Sequence, residues 1–221
     1  MVTIEHLSFS YTGTLPFVLE DINLEVQNGS YLSILGDNGS GKTTLIRLLL
    51  GFLKPTRGSM SIDTRLIGYV PQIKDFTNSN FPITVYEVLY SYLKLMKHKD
   101  KTEITEALRL TGMEGFKSSL IGNLSGGQLQ KIMISRALMG YPELLILDEP
   151  STGVDIDSQK EIYALLKALC REQKITILAV EHNLDAVIAN STQIFHLQNG
   201  HGHLCSPELY AAEYLNHKRK G

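Results

Sequence analysis

The chain has 221 residues, 43% of them hydrophobic, with no tryptophan and a formal net charge of −2. Length and composition fit one α/β domain, or one domain with a small inserted lobe, and exclude a disordered chain. The near-neutral charge argues against nucleic-acid binding through a basic face, and no run of about 18 apolar residues offers a membrane span.

The N-terminal MVTIEHLSFSY (Met1 to Tyr11) has neither the basic start nor the apolar stretch of a signal peptide, and its alternation reads as a strand. TGTLPF then turns. VLEDINLEVQNG alternates again and closes on Asn28-Gly29, which predicts antiparallel structure at an edge. SYLSILG (Ser30 to Gly36) is a short apolar strand that runs into a glycine loop. KTTLIRLLLGFL follows as a helix, stopped by Pro55 and Gly58, and LIGYVPQ (Leu66 to Gln72) is another strand. From Phe76 to about Met139 apolar residues recur at i, i+3, i+4, so TVYEVLYSYLKLMK and KTEITEALRLTGM are helices. Strand and helix then alternate again through ELLILDEP, DSQKEIYALLKALCREQ, KITILAVEH and a hairpin-like TQIFHLQNGH. This alternation implies a parallel sheet covered on both faces. Internal repeats and low-complexity segments are absent from the sequence. Cys170 and Cys205 lie far apart without metal spacing and read as reduced thiols of a cytosolic protein. HKRK (His217 to Lys220) reads as a frayed tail, and HGH (His201 to His203) as a turn with two metal ligands at most.

GDNGSGKTT (Gly36 to Thr44) fits G-x-x-x-x-G-K-[ST] with a strand before it and a helix after it. Gly36 and Gly41 permit backbone angles and a close approach that a Cβ blocks. Successive N–H groups along Gly36, Asp37, Asn38, Gly39, Ser40, Gly41 and Thr44 form an anion nest. Lys42 brings a point charge to the β- and γ-phosphates of a triphosphate. Thr43 offers its hydroxyl to Mg²⁺. LLILDEP (Leu144 to Pro150) supplies the other half of such a site. A buried strand delivers Asp148 and Glu149 at its carboxyl end, where open α/β sheets bind ligands. Two adjacent acids there are costly without a cation. Asp148 is expected to hold Mg²⁺ through water, and Glu149 to face the attacking water as general base or as its positioner. Gln72 and His182 end strands on the same edge, where a γ-phosphate would sit. Gln72 is a ligand for Mg²⁺ or water, and His182 a donor to a phosphate oxygen. Tyr11 offers an aromatic face to adenine or packs within its strand. NLSGGQLQKIMISRAL (Asn123 to Leu138) is a second glycine-rich turn that opens a helix, so its free N–H groups also suit a phosphate.

The order Tyr11, GDNGSGKTT, YVPQ, NLSGGQ, LLILDEP, STGVD and a strand-end His182 resembles the ATPase subunits of ABC transporters over nearly the whole chain. The resemblance implies a P-loop NTPase fold. It has a mainly parallel sheet covered by helices, an N-terminal antiparallel β piece and an inserted helical subdomain. The whole chain, 1–221, is then a single ATPase domain, with a core of 1–75 and 140–221 and a helical subdomain of 76–139. It also explains the two phosphate cradles. In this family two copies face head to tail, and each ATP lies between the glycine loop of one and Leu124, Ser125, Gly126, Gly127 and Gln128 of the other. STGVD (Ser151 to Asp155) lies between the two sites, with Asp155 coupling them; Asp155 or Asp157 also suits a helix N-cap.

FPITVYEVL (Phe81 to Leu89) resembles the corresponding stretch of zinc and manganese importers, which implies uptake of a divalent metal. Cobalt, nickel, haem and siderophore importers, and exporters, share the other motifs. The partners implied are a second copy of the chain, a multi-span permease and, indirectly, an extracytoplasmic metal-binding protein, with no nucleic acid. The place implied is the cytoplasmic face of the membrane. Phe76, Phe81, Tyr86 and Tyr90 are candidates to meet the permease or to pack within the lobe. A soluble ATPase acting on ribosomes or DNA would bring a second ATPase domain, a coiled coil or basic extensions. A module that grips ATP without turnover would lack Glu149 or His182. The sequence departs from the family in Asp37, Lys131 and Glu181, and in the thirteen residues between Gly58 and Gln72. That short spacing implies a trimmed antiparallel piece near Met60 to Arg65.

Overall fold

The computed structural model describes residues 1–72 and 82–218. Phe76, Phe81 and the expected boundary between 75 and 76 lie outside the described residues, as do the last residues of the HKRK tail. The strands are β1 (Val2–Phe9), β2 (Leu19–Val26), β3 (Tyr31–Gly36), β4 (Arg57–Ile62), β5 (Ile67–Val70), β6 (Leu144–Asp148), β7 (Thr176–Val180), β8 (Gln193–Gln198) and β9 (His201–Cys205). The helices are α1 (Lys42–Leu49), α2 (Val85–Leu95), α3 (Thr102–Leu110), α4 (Gly126–Leu138), α5 (Ile156–Glu172), α6 (Leu184–Asn190) and α7 (Pro207–Lys218). They build a three-stranded antiparallel sheet, order β2-β1-β4, and a six-stranded sheet, order β5-β6-β7-β3-β8-β9. The larger sheet is parallel from β5 to β8, and β9 folds back antiparallel on β8.

The inner parallel strands β6 and β7 are almost wholly apolar because both of their faces are covered. Successive side chains leave a strand on opposite sides. Leu145 and Leu147 of β6 join Ile177 and Ala179 of β7 in a core shared with α2, α3, α4 and α5. Leu144 and Ile146 join Leu178 and Val180 in a second core. There α1 supplies Leu45, Ile46, Leu48 and Leu49, and the antiparallel sheet supplies Val2, Ile4, Leu7, Ile22 and Val26. The helix that follows the glycine loop is thus clamped between two sheets.

Local chemistry sets the ends of these elements. Thr84 and Glu87 form a reciprocal capping box that starts α2. Asn199 and Gly200, both at positive φ, make the tight turn between β8 and β9. The region from 82 to 138 carries α2, α3 and α4, as its periodicity predicts. Tyr86 and Tyr90 stack with centroids 5.7 Å apart. Lys117 sits over Tyr86, and Lys94 and Lys101 over Tyr90.

The structure differs from the sequence reading in HGH, which opens β9 instead of forming the turn, in α7, which the sequence reading does not include, and in three further features. First, α1 ends at Leu49 rather than near Pro55, because Gly51 takes φ +73° and Phe52 N–H closes onto the Arg47 carbonyl at 2.9 Å. Second, RGSMSI, passed over as a strand, is β4 and pairs with β1 from Val2↔Ile62 to Ser8↔Arg57. Its alternating stretch, Ser59 to Ile62, is only four residues long, and its apolar Met60 and Ile62 pack against the second core. Third, α6 is a short helix started by Asn183, whose side chain accepts from Ala186 N–H.

Gly68 of β5 lies against the end of α4, and a Cβ there would come 2.3 Å from the Ala137 carbonyl oxygen. Gly68→Ala is therefore expected to destabilise the chain by about 1–3 kcal/mol through overpacking, read as a lower urea midpoint at unchanged slope.

Candidate functional site

Parallel register brings three strand ends together. Val70 pairs with Leu147, and Asp148 with Val180. Gln72, Glu149 and His182 each follow one of these strands by one or two residues, so all three project from one edge. They converge on the Glu149 carboxylate. His182 Nε2 lies 2.8 Å from Oε1, Thr152 Oγ1 donates to Oε2 at 3.0 Å, and Gln72 Nε2 also donates to Oε2. A carboxylate only accepts, so His182 Nε2 carries the hydrogen in this arrangement. Burial raises the Glu149 pKa, but the hydrogen bonds from His182 and Thr152 and the nearby Lys42 charge outweigh it and hold the carboxyl below its ordinary value. Glu149 sits at φ +51°, a strained backbone for a non-glycine residue, and its N–H donates to the Val180 carbonyl at 3.1 Å. Strand pairing thus continues one residue beyond β6 and holds the strained residue in place.

The glycine loop faces this cluster. An open cleft of about 380 Å³ is lined by Asn38, Gly39, Gly41, Lys42, Thr43, Thr44, Gln72, Asp148, Glu149 and Val18. Gly36 has no room for a side chain, since a Cβ would lie 2.3 Å from the Leu197 carbonyl oxygen and 2.6 Å from Ser40 Oγ. Gly41, at φ +106°, would put a Cβ 2.6 Å from Leu19 Cδ2. The Lys42 ammonium turns onto its own loop, donating to the carbonyls of Gly36 at 2.7 Å and Asp37 at 2.9 Å. Burial lowers its pKa, opposed by the charges of Glu149, Asp37 and Asp148. Ser40 Oγ is buried without a hydrogen-bond partner.

These observations fit a polyphosphate and its cation. The loop positions closed to a side chain, Gly36 and Gly41, the orphaned Ser40 hydroxyl and the Lys42 charge suit phosphate oxygens. The exposed Thr43 hydroxyl, Gln72 and Asp148 are hard oxygen donors of the kind Mg²⁺ takes. Tyr11 lies beyond the end of β1 rather than within the strand. It is 57% exposed, packs edge-on against Phe9, and its hydroxyl lies 3.1 Å from Thr44 Oγ1. Its ring is thus held beside the start of α1.

Leu124–Gln128 stands elsewhere; none of these residues lines the cleft. Ser125 is the N-cap of α4. Its Oγ accepts from Gln128 N–H at 3.2 Å, and Gln128 Oε1 accepts from Ser125 N–H at 2.9 Å. Gly126 and Gly127 form the first turn, where N–H groups have no acceptor within the helix. Leu124 packs against the larger core, while Ser125 and Gly126 face solvent. A Cβ on Gly127 would meet the Ser158 side chain at 2.4 Å, so this turn is pressed against the start of α5. Asp155, not Asp157, caps that helix by accepting from Ser158 N–H at 3.0 Å. Lys131 bridges α4 to α5 through Glu161 at 2.5 Å.

Sequence reasoning missed Thr152 as a partner of Glu149, although it lies within STGVD, and it missed Val18, for which the sequence carries no signal. Among the described residues no three His, Cys, Asp or Glu side chains gather as metal ligands. His203 meets His196 edge to face at 5.3 Å, and His201 lies 3.7 Å from Glu20. Both cysteines are buried and unbridged. Among the described residues no helix is long and apolar enough to cross a membrane.

Comparison with known proteins agrees with this geometry. A family model described as ABC transporter matches residues 19–152. A probable metal transport system ATP-binding protein of Treponema pallidum is 49% identical over 99% of this chain and 92% of its own length. The zinc uptake system ATP-binding protein ZurA of Listeria monocytogenes is 42% identical over 83% of this chain and 78% of its own length. Among solved structures, cbiO1 of Clostridium perfringens, part of the ABC transporter complex cbiONQ, superposes with a TM-score of 0.85. It is 30% identical, over 98% of this chain and 93% of that one.

The depressed Glu149 pKa carries a stability prediction. A carboxyl whose folded pKa lies below its unfolded value stabilises the fold above the unfolded pKa, and that contribution is lost as pH falls through the folded value. The stability advantage of the native chain over Glu149→Gln, measured by urea unfolding, is expected to be constant at neutral pH and to shrink as pH is lowered below about 4.5.

Proposed function

This chain belongs to the ABC transporter family, and on that premise we propose that it is the ATP-hydrolysing subunit of a transporter that takes up a divalent metal, zinc or manganese, through a separate permease. The observation that carries the hydrolytic reading is the Glu149 carboxylate held by Gln72, Thr152 and His182 at the mouth of the glycine-loop cleft. The metal reading is supported by relatives named for metal transport and zinc uptake.

In this reading the glycine loop and Lys42 hold the triphosphate, and Tyr11 supports the base. Lys42 exchanges its bonds to the Gly36 and Asp37 carbonyls for phosphate oxygens. Thr43, Gln72 and Asp148 would hold Mg²⁺, which when bound would neutralise charge developing on the phosphates. Glu149 is ionised at neutral pH and orients the attacking water by accepting its hydrogen. His182 steadies Glu149 through Nε2; to reach a phosphate oxygen with that nitrogen it releases the carboxylate. The helix start at Ser125, Gly126 and Gly127 meets the γ-phosphate held by a second copy, aided by the positive end of α4. Asp155, at the start of the helix against which that turn packs, couples the two sites. The domain division follows the same reading: the helical subdomain, 76–139, carries the second cradle away from the first and receives the permease near Tyr86 and Tyr90. The chain then sits on the cytoplasmic face of the membrane.

The test is ATP-driven uptake by sealed vesicles that hold the chain with its permease, compared across Zn²⁺, Mn²⁺ and Fe²⁺. Uptake of Zn²⁺ or Mn²⁺ is expected, reduced at least about a hundredfold by Glu149→Gln. Turnover of ATP without uptake of either ion contradicts the metal assignment.

A further inference from the structure

Behind the Glu149 cluster lies a second carboxyl that the reaction above does not use. Glu181 is the first residue after β7, is 1% exposed, and immediately precedes His182. Its Oε2 lies 2.9 Å from the Tyr163 hydroxyl of α5, and that hydroxyl lies 2.9 Å from Ser151 Oγ. Its other oxygen, Oε1, is buried without a hydrogen-bond partner. Ser151 is 8% exposed and Tyr163 is 5% exposed, so the whole chain of contacts is closed to water.

Its place in the sequence gives this network its meaning. Glu181 is joined by one peptide bond to His182, and Ser151 stands two residues after Glu149 and beside Thr152. His182 and Thr152 are both donors to Glu149. The Glu181–Tyr163–Ser151 contacts therefore span, from the inside, the two segments that meet at Glu149 from the outside. We propose that Glu181 is a positioning residue for ATP hydrolysis, holding the turn that carries His182 and the loop that carries Glu149 and Thr152 at a fixed separation through Tyr163 and Ser151.

The chemistry of the network favours an uncharged carboxyl. An ionised, half-satisfied carboxylate at this depth is costly, whereas a neutral one carries a hydrogen to donate. The tyrosine hydroxyl has a single hydrogen yet makes two contacts, so it accepts at one of them. With Glu181 neutral and donating to Tyr163, the tyrosine donates onward to Ser151; with Glu181 ionised, Ser151 donates to Tyr163 and Tyr163 to Glu181. Burial pushes the Glu181 pKa up to about 8, opposed by hydrogen bonds from Tyr163 and Ser151 and assisted by the charge of Glu149. The groups facing it are Tyr163 from α5, Tyr31 from β3 and Glu149 from the loop after β6. Both tyrosines are themselves pushed up by burial, so they stay neutral while Glu181 titrates. Once ionised, Glu181 places a second negative charge behind Glu149 and turns the donors of Tyr163 and Ser151 inward.

This inference rests on the hydrolytic reading above. The experiment is steady-state ATP hydrolysis by the purified full-length chain with Mg²⁺, from pH 6.5 to 9.5, for the native protein, Glu181→Gln and Tyr163→Phe. The native rate is expected to fall above about pH 8. Glu181→Gln, which mimics the neutral acid, is expected to keep kcat within about twofold at pH 7 and to lose that alkaline fall. Tyr163→Phe breaks both contacts while removing one hydroxyl and no bulk, and is expected to lower kcat at least about fivefold at pH 7 with KM for ATP changed less than twofold. Lys42 and other alkaline groups act alike in the native chain and in Glu181→Gln, so the difference between the two profiles isolates position 181. Superimposable profiles for those two proteins, or an unchanged kcat in Tyr163→Phe, overturn the inference while leaving hydrolysis intact. An inactive native chain would instead overturn the reading on which it rests. If Glu181→Gln does not fold, the Tyr163→Phe comparison decides alone.

Discussion

A single carboxylate gathers the edge of this sheet. Glu149 accepts from groups that follow β5, β6 and β7, and none of these residues is near another in sequence except Thr152. What makes the meeting possible is parallel register: three neighbouring strands end at the same level, so the residue just past each end faces the same space. Antiparallel neighbours would send successive ends to opposite edges. The cost of the arrangement is visible in the positive φ of Glu149, which is held by the extra backbone bond to Val180 and by its side-chain partners.

The sheet also fixes the glycine loop relative to that carboxylate. β3 lies beside β7, and the loop leaves its end beneath β8, so close that the Leu197 carbonyl excludes any side chain at Gly36. α1 carries the loop's lysine and is clamped between two sheets by its leucines. The loop, the acids and the strand-end donors are thus all carried by one sheet. The turn at Ser125 belongs to a different packing unit, because α4 lies among α2, α3 and α5 on the other core and presses Gly127 against Ser158. Each chain therefore presents a cleft and, apart from it, an exposed helix start.

Much of this was legible in the sequence because the relevant signals are local. The strand–loop–helix around Lys42, the apolar strand before Asp148 and the alternation of strands and helices depend on residues within about ten positions of one another. The family membership expected from the motif order holds across the chain. The sequence reading failed where structure depends on distant partners or on the backbone course of a turn. β4 has only a short alternation, Ser59 to Ile62, and is fixed as a strand by its pairing with β1. α1 stops at Gly51 through its own backbone turn, before either residue expected to end it. Thr152 and the Glu181–Tyr163–Ser151 contacts join residues up to thirty positions apart, and no periodicity announces them. In the sequence Glu181 is only a departure from the family pattern; its burial against Tyr163 gives that departure a physical role.

The account rests on the claim that one triphosphate is completed by two copies of this chain, cleft from one and helix start from the other. Mixing two inactive variants tests it directly. Lys42→Ala disables a chain's own cleft, and Ser125→Arg disables the surface it lends to its partner. In a mixed pair, one of the two shared sites contains neither change. The account predicts that ATP hydrolysis, negligible for each variant alone, appears when the two are combined. A mixture as inactive as its components, with both variants folded, would mean that each chain completes its site by itself and would contradict the account.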